Sequence, residues 1–121
     1  MRKILVVEDE PTVRKMLRRR LEHQGYEVVE AEDGSDALAL IATEHPALVL
    51  MDLNIPLLDG WTMTRQLRAD PVTAKLPVIA VSANIADADV ERALSAGCND
   101  FEPKPVDFQR LFSKIRQLTE S

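Results

Sequence analysis

Residues 47–60, Ala47-Leu48-Val49-Leu50-Met51-Asp52-Leu53-Asn54-Ile55-Pro56-Leu57-Leu58-Asp59-Gly60, decide the fold. They open with a short, nearly continuous apolar run, the pattern of a strand covered on both faces. The run breaks at a carboxylate, Asp52, and enters a loop marked by Pro56 and the Asp59-Gly60 pair. In open α/β sheets, ligands gather at the carboxyl ends of buried parallel strands. Asp52 is therefore a functional candidate, provided other segments bring matching chemistry to it.

Working outward, the chain has the same punctuation on both sides. Lys3 to Val7 is a first buried strand, ending at Glu8-Asp9-Glu10. Pro11 suits the first turn of a helix whose stripe is Val13, Met16, Leu17, Arg20-Leu21 and Gln24, with Gly25 as its stop. Tyr26 to Ala31 is a second strand, and Asp33-Gly34-Ser35 turns into a helix with Ala37, Leu38, Leu40 and Ile41 inward. Beyond the central strand, Trp61 to Ala69 is a helix buried through Trp61, Met63, Thr64 and Leu67. Pro77 to Val81 is a fourth buried strand that ends at Ser82. Asp87 or Asp89 can cap a helix running to Ala96, with Gly97 after it. Asn99 to Glu102 is a fifth strand, and Pro103 places it at the edge of the sheet. Phe108, Leu111, Phe112, Ile115 and Leu118 give the clearest helical stripe in the chain. Five alternations of strand and helix predict a doubly wound α/β domain: a five-stranded parallel sheet with five helices on its two faces.

Composition narrows the function. With 121 residues, 45% hydrophobic and 29% charged, the chain reads as one domain over 1–121, without repeats or linkers. A net charge of -5 argues against general nucleic-acid binding, which needs a basic footprint. No apolar run nears the roughly 20 residues of a membrane span, and the N-terminus lacks a signal-peptide core. Cys98 is the only cysteine, so no internal disulfide forms, which fits a cytoplasmic location. His23 and His45 have no ligand partner at useful spacing and read as structural.

The strand ends carry the chemistry. Glu8 and Asp9 follow strand 1, Asp52 strand 3, Ser82 strand 4 and Lys104 strand 5. A parallel sheet puts all of them on one edge. Carboxylates that share a pocket repel, and one Lys104 leaves a deficit of positive charge. Mg²⁺ completes such a set, since it takes oxygen ligands and bridges to phosphate. Asp52 would then be the nucleophile that gives an acyl phosphate. Lys104 would neutralise the incoming phosphoryl group, and the Ser82 hydroxyl would bind one of its oxygens.

Glu8-Asp9, Asp52, Ser82 and Lys104-Pro105, in this order and spacing, resemble the receiver domain of two-component response regulators, over essentially the whole chain. The resemblance implies the CheY-like, flavodoxin-like strand order 2-1-3-4-5. It also implies Mg²⁺-dependent transfer of a phosphoryl group onto Asp52 from a histidine kinase or a histidine phosphotransfer protein. Asp9 and Asp52 would hold the metal directly, Asn54 through its backbone carbonyl and Glu8 through water. Phe101 falls at the family's switch aromatic and would move with Ser82, remodelling the surface of helix 4, strand 5 and helix 5 for a partner. The Lys104-Pro105 bond would be cis. Such a chain is a signalling phosphoacceptor rather than a turnover enzyme. Glu8 for the commoner aspartate, Ser82 for the usual threonine and Pro103 are departures that remove no required group.

Alternatives are weaker. A haloacid-dehalogenase-type phosphatase needs a second aspartate two residues after the nucleophile, where Asn54 stands. A flavin module needs a phosphate-binding loop after strand 1, where Glu8-Asp9-Glu10 would repel phosphate. The basic run Lys15, Arg18, Arg19 and Arg20 reads equally as a solvated face or as a docking surface for the phosphodonor. Asn54 and Asn84 are placed to influence how long the phosphoryl group survives. Met1 opening directly into strand 1 favours a stand-alone regulator over an excised receiver.

Overall fold

In the computed structural model the described residues are 2–53, 60–83 and 87–120, with backbone alone for 87–90 and 93. Strands β1 (Lys3–Val7), β2 (Glu27–Ala31), β3 (Leu48–Asp52), β4 (Val78–Ser82) and β5 (Asp100–Pro103) alternate with five helices. The helices are α1 (Pro11–His23), α2 (Gly34–Glu44), α3 (Gly60–Ala69), α4 (Asp87–Ala96) and α5 (Phe108–Thr119). All pairings are parallel, and the sheet order is β2-β1-β3-β4-β5. The order reverses between β1 and β3, which are direct neighbours, so the ends of these strands open on the switch-point crevice.

Side chains alternate along each strand and divide the core in two. Leu5, Val7, Val49, Met51, Val78, Ala80 and Phe101 pack with residues of α2, α3 and α4. Ile4, Val6, Leu48, Leu50, Ile79 and Val81 pack with Leu17 and Leu21 of α1 and Leu111, Phe112 and Ile115 of α5. The period of two sends neighbouring residues of β5 to opposite faces. Phe101 joins the first layer, whereas Glu102 meets α5.

Pro11 stands in the first turn of α1, as its sequence position predicts, and three helices are capped by acidic side chains. Glu10, Asp33 and Asp107 cap α1, α2 and α5 by accepting from the N–H groups of Thr12, Asp36 and Arg110. Asp87 and Asp89 as caps of α4 lie outside the described side chains. Gly60 opens α3 so close to the end of β3 that a Cβ there would sit 3.0 Å from the Leu53 Cα. A side chain at 60 would push α3 away from the Asp52 strand end.

One helical stripe differs from expectation. The buried residues of α1 are Arg14, Leu17 and Leu21, while Met16 is 44% exposed and Gln24 is exposed. The helix is turned so that a guanidinium, and not a thioether, enters the interior. The reason is electrostatic: Arg14 meets Glu30 of β2 at 3.1 Å and Glu32 at 3.5 Å. Its Nη1 also donates to the Glu8 carbonyl at 2.9 Å.

Candidate active site at the carboxyl edge of the sheet

Three strands deliver the pocket. Glu8 continues β1, and its backbone N–H is bonded to the Ala31 carbonyl at 3.1 Å, so the ladder outlasts the strand by one residue. Asp52 closes β3, and the next residue, Leu53, is still paired to Val81. Ser82 closes β4, and its carbonyl accepts from the Lys104 N–H at 3.0 Å. Backbone hydrogen bonds thus fix the bases of Glu8, Asp52, Ser82 and Lys104. Glu8, Asp52 and Ser82 are buried at 2%, 7% and 3% exposure, and Asp9 is exposed at the rim.

The Lys104 ammonium donates to Glu8 Oε2 and to Asp52 Oδ2, each at 3.0 Å. The other Glu8 oxygen, Oε1, accepts from the Glu10 N–H. One carboxylate oxygen from each of Glu8, Asp9 and Asp52 lies within 4.8 Å of the other two. Burial and the neighbouring Asp52 carboxyl raise the Glu8 pKa from 4.5 to about 7, although Lys104 pulls the other way. Burial would lower the Lys104 pKa, but its bonds to Asp52 and Glu8 outweigh that and hold it above the usual lysine value. The pocket is short of positive charge. Its donors are hard carboxylate oxygens, converging and partly open to solvent through Asp9, which is the donor set that Mg²⁺ takes.

The expected residues Glu8, Asp9, Asp52 and Lys104 come together. Ser82 ends the adjacent strand. Asn54 and Asn84 lie outside the described residues. Phe101 is buried on the α3/α4 side of the sheet. The Lys104-Pro105 peptide is cis. Of the basic run on α1, Arg18 pairs with Glu22 and Glu30, and Arg20 stacks 4.0 Å over the Phe108 ring. Lys15 and Arg19 are exposed. Two residues escaped the sequence reading. The signal for Arg14 was the acidic pair Glu30, on β2, and Glu32, just beyond its end. The signal for Glu102 was a carboxylate inside a strand followed by Arg110 and Lys114, spaced along one side of α5.

A doubly wound sheet with an acidic, lysine-bridged pocket at its switch point puts the chain among the open α/β domains that gather their ligands at the carboxyl ends of the strands. The family profile described as response regulator receiver domain matches residues 4–116, and the chain belongs to this family. Protein PilH of Pseudomonas aeruginosa is 40% identical over 118 residues, covering 98% of both chains. Response regulator PleD of Caulobacter vibrioides is 38% identical over 117 residues, 97% of this chain but 26% of PleD. The chain thus spans about a quarter of one curated relative and nearly all of another. Among solved structures, the receiver domain of the sensor histidine kinase PA1611 of P. aeruginosa superposes with a TM-score of 0.91 at 33% identity. The match covers 99% of this chain and 98% of that one, and that structure has a magnesium ion coordinated in its active-site cleft. Among the described residues, no helix is long and apolar enough to cross a membrane.

Proposed function

We infer that Asp52 accepts a phosphoryl group from a phosphohistidine of a histidine kinase or histidine phosphotransfer protein, in a Mg²⁺-dependent reaction. The observation that carries this reading is the Lys104 ammonium, 3.0 Å from both the Glu8 and Asp52 carboxylates, inside a converging set of three acids. Asp9 and Asp52 would hold the metal directly, and Glu8 through water. Bound there, Mg²⁺ supplies the positive charge that the carboxylates lack and that a phosphoryl group needs.

The chain's own residues do the rest. An Asp52 carboxylate oxygen attacks phosphorus and forms the new P–O bond. The P–N bond to the donor imidazole breaks, the nitrogen keeps the electron pair and takes a proton, and Asp52 becomes an acyl phosphate. Lys104 moves its contact from the Asp52 carboxylate to a phosphoryl oxygen, and the Ser82 hydroxyl donates to another. Displacement of Ser82 and Phe101 then alters the α4-β5-α5 surface that a partner protein reads. The chain acts as a signalling phosphoacceptor, without a turnover substrate of its own, on the cytoplasmic side.

Incubation with acetyl phosphate and Mg²⁺, followed by intact mass, tests this. A phosphoryl adduct forms with the wild type, and is missing with Asp52→Asn or with EDTA. A folded, Mg²⁺-binding wild type that takes no phosphate refutes the reading.

A further inference from the structure

The Glu102 carboxylate has no part in the chemistry above, yet it is completely buried, at 0% exposure. It lies on β5 between the switch-position Phe101 and Pro103, and it faces α5. Its Oε1 accepts from Arg110 Nε and Lys114 Nζ, both at 3.1 Å. Its Oε2 accepts from Arg110 Nη2 at 2.7 Å and from the Asp107 backbone N–H at 3.4 Å. Lys114 also donates to the Phe101 carbonyl and stands 3.5 Å from Asp100.

The Asp107 contact closes a ring. Residues 103–106 leave Glu102 and return to Asp107, which the same carboxylate holds, and Lys104 lies inside that ring. The other anchor of the ring is the Lys104 N–H on the Ser82 carbonyl. A side chain as long as lysine can present its ammonium to two carboxylates only if its backbone is fixed. An apolar residue at 102 would fill the same space, and a buried charge is a costly substitute unless it enforces one geometry. Arg110 is 47% exposed, so the network reaches from the surface of α5 to the base of the active lysine.

We propose that Glu102 is a positioning residue for Lys104: by gripping Asp107, Arg110 and Lys114 it sets the 103–107 connection, and thereby the reach of the ammonium to Asp52. This rests on the phosphoacceptor reading for its kinetic consequence, but not for its structural one. An acidic partner that draws Arg110 outward would loosen the ring and slow the site.

Two measurements on the full chain test it together. In Glu102→Gln, the rate of phosphorylation at saturating acetyl phosphate falls about tenfold, while the half-saturating donor concentration and the Mg²⁺ affinity stay within about twofold. In a Lys104→Ala background, the same substitution has no further effect. By hydrogen exchange, the Lys104 amide opens about tenfold faster, while the amides of Ile79 and Val81 keep their protection. Arg110→Gln, a surface change, reproduces the pattern at smaller size should Glu102→Gln fold poorly. An unchanged rate, an equal loss without Lys104, or an unchanged Lys104 amide overturns the proposal. If the wild type takes no phosphate, the phosphoacceptor reading falls, and the exchange measurement still decides the role of Glu102.

Discussion

Two buried glutamates of one sheet, Glu8 and Glu102, stand in opposite electrostatic surroundings. At the end of β1, a single ammonium, Lys104, bridges two buried carboxylates, Glu8 and Asp52. On β5, a single buried carboxylate is gripped by two cations, Arg110 and Lys114. The consequence is visible in both acids. Burial and Asp52 push Glu8 up to about 7. Burial would also raise Glu102, but the bonds from Arg110 and Lys114 outweigh it and hold Glu102 below the usual carboxylate range. The first cluster gathers more negative charge than its one lysine balances. The second is complete and holds its surroundings still. A receiver needs both, because a pocket left hungry for charge keeps its geometry only if its supports are satisfied elsewhere.

The contrast is broken most severely at the shared lysine. Lys104→Ala should cut the phosphorylation rate about 100-fold at saturating donor, the scale of losing one preorganised charge at the reacting group. Mg²⁺ affinity, read by calorimetry, should not weaken, because a competing cation has gone. Next in size is the opposite operation on Glu102. Arg110→Gln together with Lys114→Met leaves a buried carboxylate uncompensated and should lower the urea midpoint by about 1–2 M. That loss should exceed the loss in Glu102→Gln, and the reverse order would show that the cations do not stabilise the acid.

Acidity separates the two glutamates by sign. Glu8 has a folded pKa of about 7, above its ordinary 4.5, so its stabilising proton is fully present below 4.5 and is lost as the pH rises through 7. Glutamine escapes that loss. In EDTA at pH 8, Glu8→Gln should be more stable than wild type by about 1–3 kcal/mol, and level with it at pH 4, by chemical denaturation. Glu102 behaves in reverse. Its folded pKa is depressed, so its contribution is present above its ordinary value and fades as the pH falls through the folded one. Glu102→Gln should therefore flatten the acid limb of the stability profile below about pH 4.5. The smallest effect belongs to the periphery: Arg18→Ala, which loses an exposed contact to Glu22 and a half-buried one to Glu30, should cost about 1 kcal/mol in the same assay.

The fold was largely legible in the sequence because the buried strands run into polar residues at their carboxyl ends and the helices are set off by turn and capping residues such as Pro11 and Asp33. Asp52, Ser82 and Glu102 lie within a residue of the predicted strand ends, and the buried side of α3 is Trp61, Met63, Thr64 and Leu67 as expected. The acids and the lysine of the pocket were legible for the same reason, since parallel strands carry their ends to one edge. What escaped was pairing across the molecule. Arg14 went unmarked, because helical periodicity counts apolar residues and cannot anticipate a guanidinium drawn inward by Glu30 and Glu32. Glu102 looked like the end of a short edge strand. Its burial depends on Arg110 and Lys114, which reach it only once α5 has packed against β5.

The central claim concerns one oxygen atom of one residue. Borohydride reduction of the acetyl phosphate-treated protein converts an aspartyl phosphate to homoserine, and peptide mapping then locates it. Homoserine at position 52, formed only when Mg²⁺ is present, is the predicted result. Homoserine at Asp9 or another acid, or an adduct that resists reduction, would contradict the assignment of Asp52 as the phosphoacceptor.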